Sequence, residues 1–382
     1  MKNIILSILS KLGLGRDGKA YDFSDESPSG HKLYYRIVGT SAQVAYQRTS
    51  MPSYPHLEGS VVIPSQVAYR GTTYPVTSIG ESAFYGCDRI STISLPSTLI
   101  SIGNYAFMGC KKLTSINIPP SVTVIGNSAF YYCSGITQIT IPPSVASIGF
   151  SAFKSCSRLA SVRYEAVMCS KMGFYRYPVF KDCGALTSLT IADGVQYIPH
   201  SAFARCSQLL GEIRIPNSVR RIDDYAFHGC NNIESLVLPN EECTIGRYAF
   251  EDCSSLTTLD IPEAITAIGD YAFFSCASLT HATIPDTVNT IGDFAFAFCS
   301  GLTSITFGLH VAQIGQHTLR GCNSLENIYI KALIPPSIDP LAYENLPPHV
   351  IVHVQSEVLE RYRSAEHWQP FHITDQNNSN QS

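Results

Sequence analysis

The sequence has little charge, and it has neither a long run of one sign nor a long apolar run. Charged residues make up 15% of the 382 residues, and the net charge is −4. Proteins that bind nucleic acids or anionic membranes usually carry a basic patch, and a membrane-spanning helix needs about 20 apolar residues. The composition therefore argues against nucleic-acid binding and against membrane insertion.

Catalytic motifs are also missing. The chain has no G-x-S-x-G, no H-E-x-x-H, no P-loop and no G-x-G-x-x-G after a predicted strand. Its eleven histidines are scattered, and the best histidine–carboxylate pair between adjacent repeats, His281 and Asp260, is typical of a solvated face. The sequence predicts a protein that is not an enzyme and has no cofactor or metal site.

What the chain does have is a repeat. The stretch 125–142 has a core aromatic at Phe130, and the same pattern recurs at steps of about 23 residues, with one longer step after Phe153. Units of this kind bury their apolar side chains only by stacking on their neighbours, so the sequence predicts a solenoid. The repeated position is occupied by Phe84, Phe107, Phe130, Phe153, Phe180, Phe203, Phe227, Phe250, Phe273, Phe296 and Leu319.

Eleven of the thirteen cysteines stand three residues after that position. No C-x-x-C pair is present, and a thiol packs well as a small apolar group where a chain turns. We therefore expect buried, reduced thiols, with disulfides or metal binding as the alternatives. Cys169 and Cys243 lie outside the series, and Cys169 is predicted to be an exposed, reactive thiol. The series is Cys87, Cys110, Cys133, Cys156, Cys183, Cys206, Cys230, Cys253, Cys276, Cys299 and Cys322.

The repeat pattern and the positions of proline and glycine divide the chain into five parts. Alternating residues such as Ile116 and Ile118 predict strands with one buried face, which end at a recurring proline. Such repeats fill residues 76–330, whereas the regions before and after read as short strands and one short helix that cover the solenoid ends. The remaining parts are an N-terminal cap at 21–75, a C-terminal cap at 331–374, a possible degenerate leader at 1–20 and a disordered tail at 375–382.

The first 20 residues only weakly resemble a secretory leader. Lys2 precedes an apolar run from Ile4 to Leu9, but Lys11 interrupts it and charged residues follow. Both export and an intracellular location therefore stay open.

The repeat resembles that of a known family. The pattern Ile-Gly-x-x-Ala-Phe-x-x-Cys-x-x-Leu-x-x-Ile-x-Ile-Pro-x-x-Val, as in residues 102–122, is similar to the BspA-type leucine-rich repeats of bacterial surface proteins and close to the treponemal type. The resemblance implies a right-handed leucine-rich-repeat superhelix of about eleven units, with a β-rich N-terminal cap and a strand-plus-helix C-terminal cap. It also implies a place outside a bacterium, in adhesion or in binding to host proteins.

One segment interrupts the repeat between Tyr164 and Phe180. It has lost the usual Pro-x-x-Val-x-x-Ile-Gly pattern and gained four residues, and insertions in solenoids form loops. Its aromatic and basic residues have the composition of a contact patch. The alternative is that two of the aromatics, Phe174 and Tyr175, replace the missing valine and isoleucine of the core. The predicted contact residues of the segment are Phe174, Tyr175, Arg176 and Tyr177.

The outward positions of the strands predict a long sheet face of small, hydroxylic residues. Threonine is common on exposed strands, but Arg163, Glu212 and Arg214 interrupt the face, and arginine is enriched at interfaces. Beside Glu212, one added residue at Leu210–Glu212 predicts a β-bulge. The outward positions are Ser94, Asn117, Thr140, Arg163, Thr190, Arg214, Val237, Asp260, Thr283, Thr306 and Tyr329.

These observations predict a non-catalytic binding protein, and they favour a monomer while leaving the oligomeric state open. A rigid, extended surface loses little ordering entropy on docking, so many modest contacts can add up. The expected partner is a protein or glycan, bound by the sheet face and the irregular loop. The expected place is the cell surface, with an intracellular interaction scaffold as the alternative. A row of outward tyrosines and phenylalanines, such as Tyr225, Tyr248 and Tyr271, could be a second patch or could shield the core.

Overall fold

The protein is described by a computed structural model that covers residues 21–47, 54, 56–343 and 346–376. The predicted leader and residues 377–382 of the predicted tail lie outside these residues. The chain divides into two compact units, Met1–Leu189 and Thr190–Ser382. Each unit is a parallel β-solenoid with very little helix.

Each coil contains two short strands separated by turns, and the alternation of residue types explains the first of them. In β11 (Gln138–Ile141) the two isoleucines are buried and the two polar residues are exposed. Equivalent strands pair in parallel, so that Thr140 is opposite Arg163 and Ile125 is opposite Ile148. Repetition of one coil therefore builds two parallel sheets along a solenoid, with apolar residues between them.

The strands before the boundary between the units are short, apart from those of the N-terminal cap. They are β1 (Phe23–Glu26), β2 (Lys32–Val38), β3 (Ser41–Ala45), β4 (Gly59–Val62), β5 (Gln66–Tyr69), β6 (Thr72–Ile79), β7 (Ile90–Ser94), β8 (Ser101–Ile102), β9 (Ser115–Ile116), β10 (Val124–Ile125), β11, β12 (Ser147–Ile148), β13 (Ser161–Tyr164) and β14 (Lys171–Met172), and β15 (Ser188–Ile191) spans the boundary. One sheet of the first unit has nine strands, in the order β1-β2-β3-β6-β8-β10-β12-β14 with β5 on β6.

The second unit has two long parallel sheets. Their strands are β16 (Tyr197–Ile198), β17 (Gly211–Arg214), β18 (Arg221–Ile222), β19 (Ile233–Val237), β20 (Cys243–Ile245), β21 (Thr258–Asp260), β22 (Ile265–Ile268), β23 (His281–Thr283), β24 (Thr290–Ile291), β25 (Ser304–Phe307), β26 (Gln313–Ile314), β27 (Asn327–Ile330), β28 (Ser337–Ile338), β29 (Ile351–Val354) and β30 (His372–Asp375). Even-numbered strands from β16 to β28 form a seven-stranded sheet, and the odd-numbered strands from β17 to β29 form an eight-stranded sheet with β30.

The described residues make about 13 turns, slightly more than the eleven that the sequence predicts. The additional turns come from the two caps. Before the first repeat, the ring of Tyr54 stacks on Phe84 with ring centroids 5.4 Å apart. After the last repeat, the carbonyl of Ala342 accepts the N–H of Leu319 at 3.1 Å. Both caps thus continue the coil without the repeat's sequence pattern, which is why periodicity alone does not count them.

The repeated phenylalanines form a buried stack inside each unit. In the first unit neighbouring rings lie 4.9 to 5.4 Å apart, from Phe84 to Phe180. In the second unit the spacing is 5.3 to 5.5 Å, from Phe203 to Phe296. The stack is the centre of the core, as the repeat predicts.

The cysteines follow the same stack. All thirteen are buried, and none is in a disulfide. The Sγ of Cys133 donates to the carbonyl of Phe107 in the preceding coil at 3.0 Å, and the same bond joins Cys322 to Phe296 at 3.2 Å. Burial raises the pKa of the Cys133 thiol well above its ordinary value. The prediction that these thiols are buried is confirmed, and their reduced state stays a prediction.

The prediction that Cys169 is exposed and reactive is wrong. Its side chain is 1% exposed, its Sγ donates to the carbonyl of Lys171 at 3.4 Å, and burial raises the thiol pKa. Cys243 is buried as well, and burial raises its pKa to about 11. Neither thiol is available for nucleophilic chemistry, because the reactive thiolate form is disfavoured.

A short helix and three 3-10 turns complete the C-terminal cap. The helix α1 spans Leu359–Ser364, and the turns span Pro340–Tyr343, Ser356–Val358 and Glu366–Trp368. The Tyr362 hydroxyl donates to the carbonyl of Ala332 at 2.7 Å, which fixes the helix to the last coil. Strand β30 includes Asp375, which the sequence analysis assigns to the tail. Among the described residues no helix has the length and apolarity to cross a membrane.

Candidate functional site

The irregular segment after Tyr164 keeps the core register with different residue types. Strand β14 pairs with β12, so that Met172 is opposite Ile148. Cys169, three residues earlier, is buried in the way that Val145 is buried in the preceding coil. Cys169 and Met172 therefore fill the core positions of the missing valine and isoleucine. The alternative in which Phe174 and Tyr175 fill them is wrong.

The added length of the segment forms an exposed loop. Gly149 precedes its core phenylalanine by four residues, whereas Gly173 precedes Phe180 by seven. Gly173 has a left-handed backbone at φ 65°, and the N–H of Tyr177 donates to the carbonyl of Phe174 at 2.8 Å, which closes a turn. The predicted contact residues lie on this turn, where Phe174, Arg176 and Tyr177 are exposed and Tyr175 is half-buried.

Three aromatic side chains meet at this loop, and we call them the aromatic cluster. Phe150 is 47% exposed, Phe174 48% and Tyr177 55%. The ring of Phe150 lies 6.3 Å from that of Phe174 and 6.2 Å from that of Tyr177, at interplanar angles of 59° and 36°. The ring of Phe150 therefore does not stack face to face on either of the other two rings. All three side chains leave part of their aromatic surface exposed to solvent.

Sequence reasoning missed Phe150, although a signal was present. The same repeat position holds Asn104 and Asn127, and each amide oxygen accepts a backbone N–H from the next coil at 2.8 Å. Phe150 ends this asparagine series, because its side chain has no acceptor for the following coil. The loss of the asparagine in the coil that precedes the irregular loop is the sequence signal that could have identified Phe150.

The stretch of sequence that contains the aromatic cluster is basic. Residues 150–182 contain six basic and two acidic side chains, a local net charge of +4 in a chain whose net charge is −4. The acidic ones, Glu165 and Asp182, are paired with Arg163 and Lys154. The basic residues are Lys154, Arg158, Arg163, Lys171, Arg176 and Lys181.

The predicted outward positions lie in strands or, for Asn117, directly after one, and the predicted contact residues lie on different elements. Arg163 is on β13 and is held by its ion pair with Glu165, whereas the irregular loop follows β14 in the other sheet of the coil. Glu212 and Arg214 belong to the second unit and are exposed on β17. Gly211 has φ 70°, and the register of β17 on β19 shifts between Gly211 and Glu212, but the residue without a partner in this pairing is Glu234 of β19.

The outward aromatic row of the second unit has a different geometry. Successive rings from Tyr225 through Tyr248 and Tyr271 to Phe294 lie 4.5 to 4.6 Å apart and are within 14° of parallel. Each inner ring therefore has both faces covered by its neighbours. This arrangement favours the interpretation that the row shields the core, since a partner can reach only the ring edges.

One group in the described part of the chain brings together side chains that could bind a metal ion. It consists of His228, Glu251 and Asp252, and His228 Nδ1 lies 2.8 Å from Glu251 Oε2. Sequence reasoning compared histidines and carboxylates between adjacent repeats but did not identify this pair. The signal is direct, because His228 and Glu251 each follow the core phenylalanine of adjacent coils.

Comparison with known proteins identifies one family whose model matches the repeats. The model of the BspA type leucine rich repeat region matches in six copies, over residues 72–177, 175–285 and 220–347, which is more than half of the chain. No curated protein matches.

Several solved structures are similar to the chain. A leucine-rich repeat protein from Bacteroides ovatus ATCC 8483 is 25% identical, with 93% of this chain and 99% of that chain covered and a TM-score of 0.50. A leucine-rich cell surface protein from Faecalibacterium prausnitzii A2-165 is 24% identical over 92% and 97% of the two chains, with a TM-score of 0.45. The leucine-rich repeat protein of T. pallidum is 27% identical over 61% of this chain and 91% of that chain, with a TM-score of 0.39.

Proposed function

The chain belongs to the BspA-type leucine-rich repeat family, and from this premise we propose that it is a non-catalytic binding protein that recognises a protein or glycan partner at the surface of a bacterial cell. The family resemblance drawn from the sequence is confirmed. Stacked repeats create extended surfaces that suit recognition, and the surface location follows what that resemblance implies.

The observation that carries the proposal is the aromatic cluster of Phe150, Phe174 and Tyr177. Each of these large side chains is about half exposed, although the rest of the repeat buries its core phenylalanine completely. Exposed aromatic rings on a preorganised turn are the groups that most often dominate binding energy, because they bury much apolar surface at a low entropic cost. The irregular loop is therefore the main contact surface in this proposal.

Charge indicates the chemistry of the partner. The net charge of +4 over residues 150–182, the stretch that contains the cluster, contrasts with the −4 of the whole chain. A partner with an acidic protein surface or an anionic glycan would be complementary to it, and such complementarity speeds association and fixes the orientation. Arg163, Glu212 and Arg214 are secondary contacts in the proposal, each on the sheet face of its own unit.

The test is a loop variant in the full chain. Phe174→Ala combined with Tyr177→Ala should weaken binding to its partner among immobilised extracellular-matrix proteins and mucin glycans by roughly 30-fold or more, the loss expected for a binding hot spot. Thermal stability should not change, because both side chains are exposed. Tyr132→Ala is the matched control, since Tyr132 is an exposed aromatic of the same unit outside the cluster. Equal binding by the loop variant and the wild type would exclude the loop as the contact surface.

The alternative is an interaction scaffold inside the cell. The observation that favours it is the set of thirteen cysteines without a disulfide, which suits a reducing compartment. Fractionation of host cells separates the two locations. Protection of the intact cell's protein from added protease would favour the intracellular scaffold, and its removal by that protease would support the surface location.

A further inference from the structure

Three potential metal ligands of the second unit lie on the segment that follows the core phenylalanines. His228 comes directly after Phe227, and Glu251 and Asp252 come after Phe250 in the next coil. One ligand atom from each residue lies within 4.8 Å of the others. Stacking of two coils thus brings an imidazole and two carboxylates together, although they are more than 20 residues apart in sequence.

The distances suit a common ion. Nitrogen and oxygen ligands bind Zn²⁺ at about 2.0 to 2.2 Å, so two ligands of one ion are roughly 3 to 3.5 Å apart. The 2.8 Å between His228 Nδ1 and Glu251 Oε2 and the 4.8 Å limit for the set require only small side-chain rotations to reach this spacing.

The backbone and the imidazole are already held in place. The N–H of Gly229 donates to the carbonyl of Glu251 at 2.7 Å, and the N–H of Asp252 donates to the carbonyl of Phe274 at 2.9 Å. The His228 side chain is only 9% exposed, and its ring stands edge-on to Tyr225 at 6.0 Å and 83°. A preorganised first ligand and fixed neighbouring coils reduce the ordering that metal binding would require.

The donor set selects the kind of ion. One imidazole nitrogen with two carboxylate oxygens favours Zn²⁺ and similar first-row transition metals over Mg²⁺, which prefers all-oxygen sites. Both carboxylates are half-buried, so water can reach the remaining coordination positions. We propose that His228, Glu251 and Asp252 form a binding site for one divalent transition-metal ion of the zinc class, independent of the partner-binding loop.

A plain ion pair between His228 and Glu251 would explain part of this geometry, so the test has to involve Asp252. Asp252 has a left-handed backbone at φ 58°, which asparagine adopts readily. Asp252→Asn therefore removes one carboxylate ligand without disturbing the fold or the His228–Glu251 contact. A simple ion pair makes no demand on Asp252, whereas a metal site does.

The experiment is a calorimetric titration of the chelator-treated full chain with ZnCl₂. We expect one ion to bind per chain, at least tenfold weaker binding in Asp252→Asn and in Glu251→Gln, and no comparable binding of MgCl₂. Asp182→Asn is the matched control, because Asp182 has the same repeat position and a left-handed backbone but pairs with Lys154. It should bind Zn²⁺ as the wild type does.

Two results would overturn the metal site. One is a wild-type chain that shows no Zn²⁺ binding beyond that of His228→Gln. The other is Asp252→Asn binding as tightly as the wild type, which would leave His228 and Glu251 as an ordinary ion pair. Circular dichroism of every variant shows whether it is folded, and Asp252→Asn decides the question even if a change at His228 prevents folding.

Discussion

At the scale of single residues, the core phenylalanine is the side chain on which stacking depends most. Phe250 is fully buried between Phe227 and Phe273, with ring centroids at 5.3 and 5.5 Å. Truncation of this side chain leaves a cavity between the two neighbouring rings. The sheets on either side hold the coils in place, so the cavity cannot close. In a solenoid each coil contacts mainly its neighbours, so such a defect affects both adjoining coils.

Phe250→Ala should lower the free energy of unfolding by about 3 to 5 kcal/mol, the range for aromatic truncation in a core. Urea unfolding followed by circular dichroism measures the loss. Ile334→Ala is the control in the same unit, because Ile334 is 73% exposed and its truncation should change stability by less than about 0.5 kcal/mol. Similar losses in the two variants would contradict the role given to the phenylalanine stack.

Individual residues also show what a sequence can and cannot predict. The burial of Phe250 and of the cysteine after it follows from the period, because a position fixed in every coil must face its own copies. The exposure of Phe150 does not follow, since the same residue type fills the core elsewhere. The contact between His228 and Glu251 can be predicted only when two adjacent repeats are aligned position by position. The repeat allows that alignment, but a search by residue type alone does not use it.

At the scale of elements, the irregular segment shows that a coil can form with different residue types at its core positions. Ala166, Cys169 and Met172 replace the usual proline, valine and isoleucine and are buried. Apolar residues still occupy the core positions of this coil, although their types differ from those of the repeat. A comparison by residue identity therefore predicts a break in the repeat. Of the four residues that the segment gains, three lie between Gly173 and Phe180 and form the aromatic loop, and one lies between Tyr164 and Cys169.

The glycine at the start of the turn allows neighbouring coils to approach closely, because it has no Cβ. A Cβ added to Gly149 would lie 2.4 Å from the backbone nitrogen of Asn127 and 2.5 Å from the carbonyl carbon of Gly126. These are backbone atoms of the preceding coil, so they cannot move without shifting the coil. Gly184 of the same unit has no atom within 4 Å of that position and no left-handed backbone.

Alanine substitutions at Gly149 and Gly184 should therefore change the free energy of unfolding in opposite directions. Gly149→Ala should destabilise the protein by about 1 to 3 kcal/mol, as overpacking of a tight contact does. Gly184→Ala should stabilise it by about 0.4 to 1 kcal/mol, because alanine restricts the unfolded chain at a position that accepts it. Denaturation midpoints of both variants test this, and a stable Gly149→Ala protein would show that the coils are farther apart than described.

At the scale of the whole molecule, the cysteines report on the integrity of the repeat coils. Thirteen thiols are distributed over both units, and all are buried. Burial raises the pKa of Cys322 to about 12 and the pKa of Cys243 to about 11. Because the thiolate is the reacting form, the folded protein should be nearly inert to thiol reagents at pH 8. Loss of any coil would expose the thiol that it contains.

A thiol titration with a disulfide reagent should therefore give almost no reaction within minutes in the folded protein. In denaturant without reductant the same protein should release all thirteen thiols. Ser300→Cys is the positive control, since Ser300 is exposed and the variant should show one fast-reacting thiol. Fewer than thirteen thiols in denaturant would mean that disulfides form among the cysteines. Several fast-reacting thiols in the folded wild type would mean that coils open, because a closed coil keeps its cysteine buried.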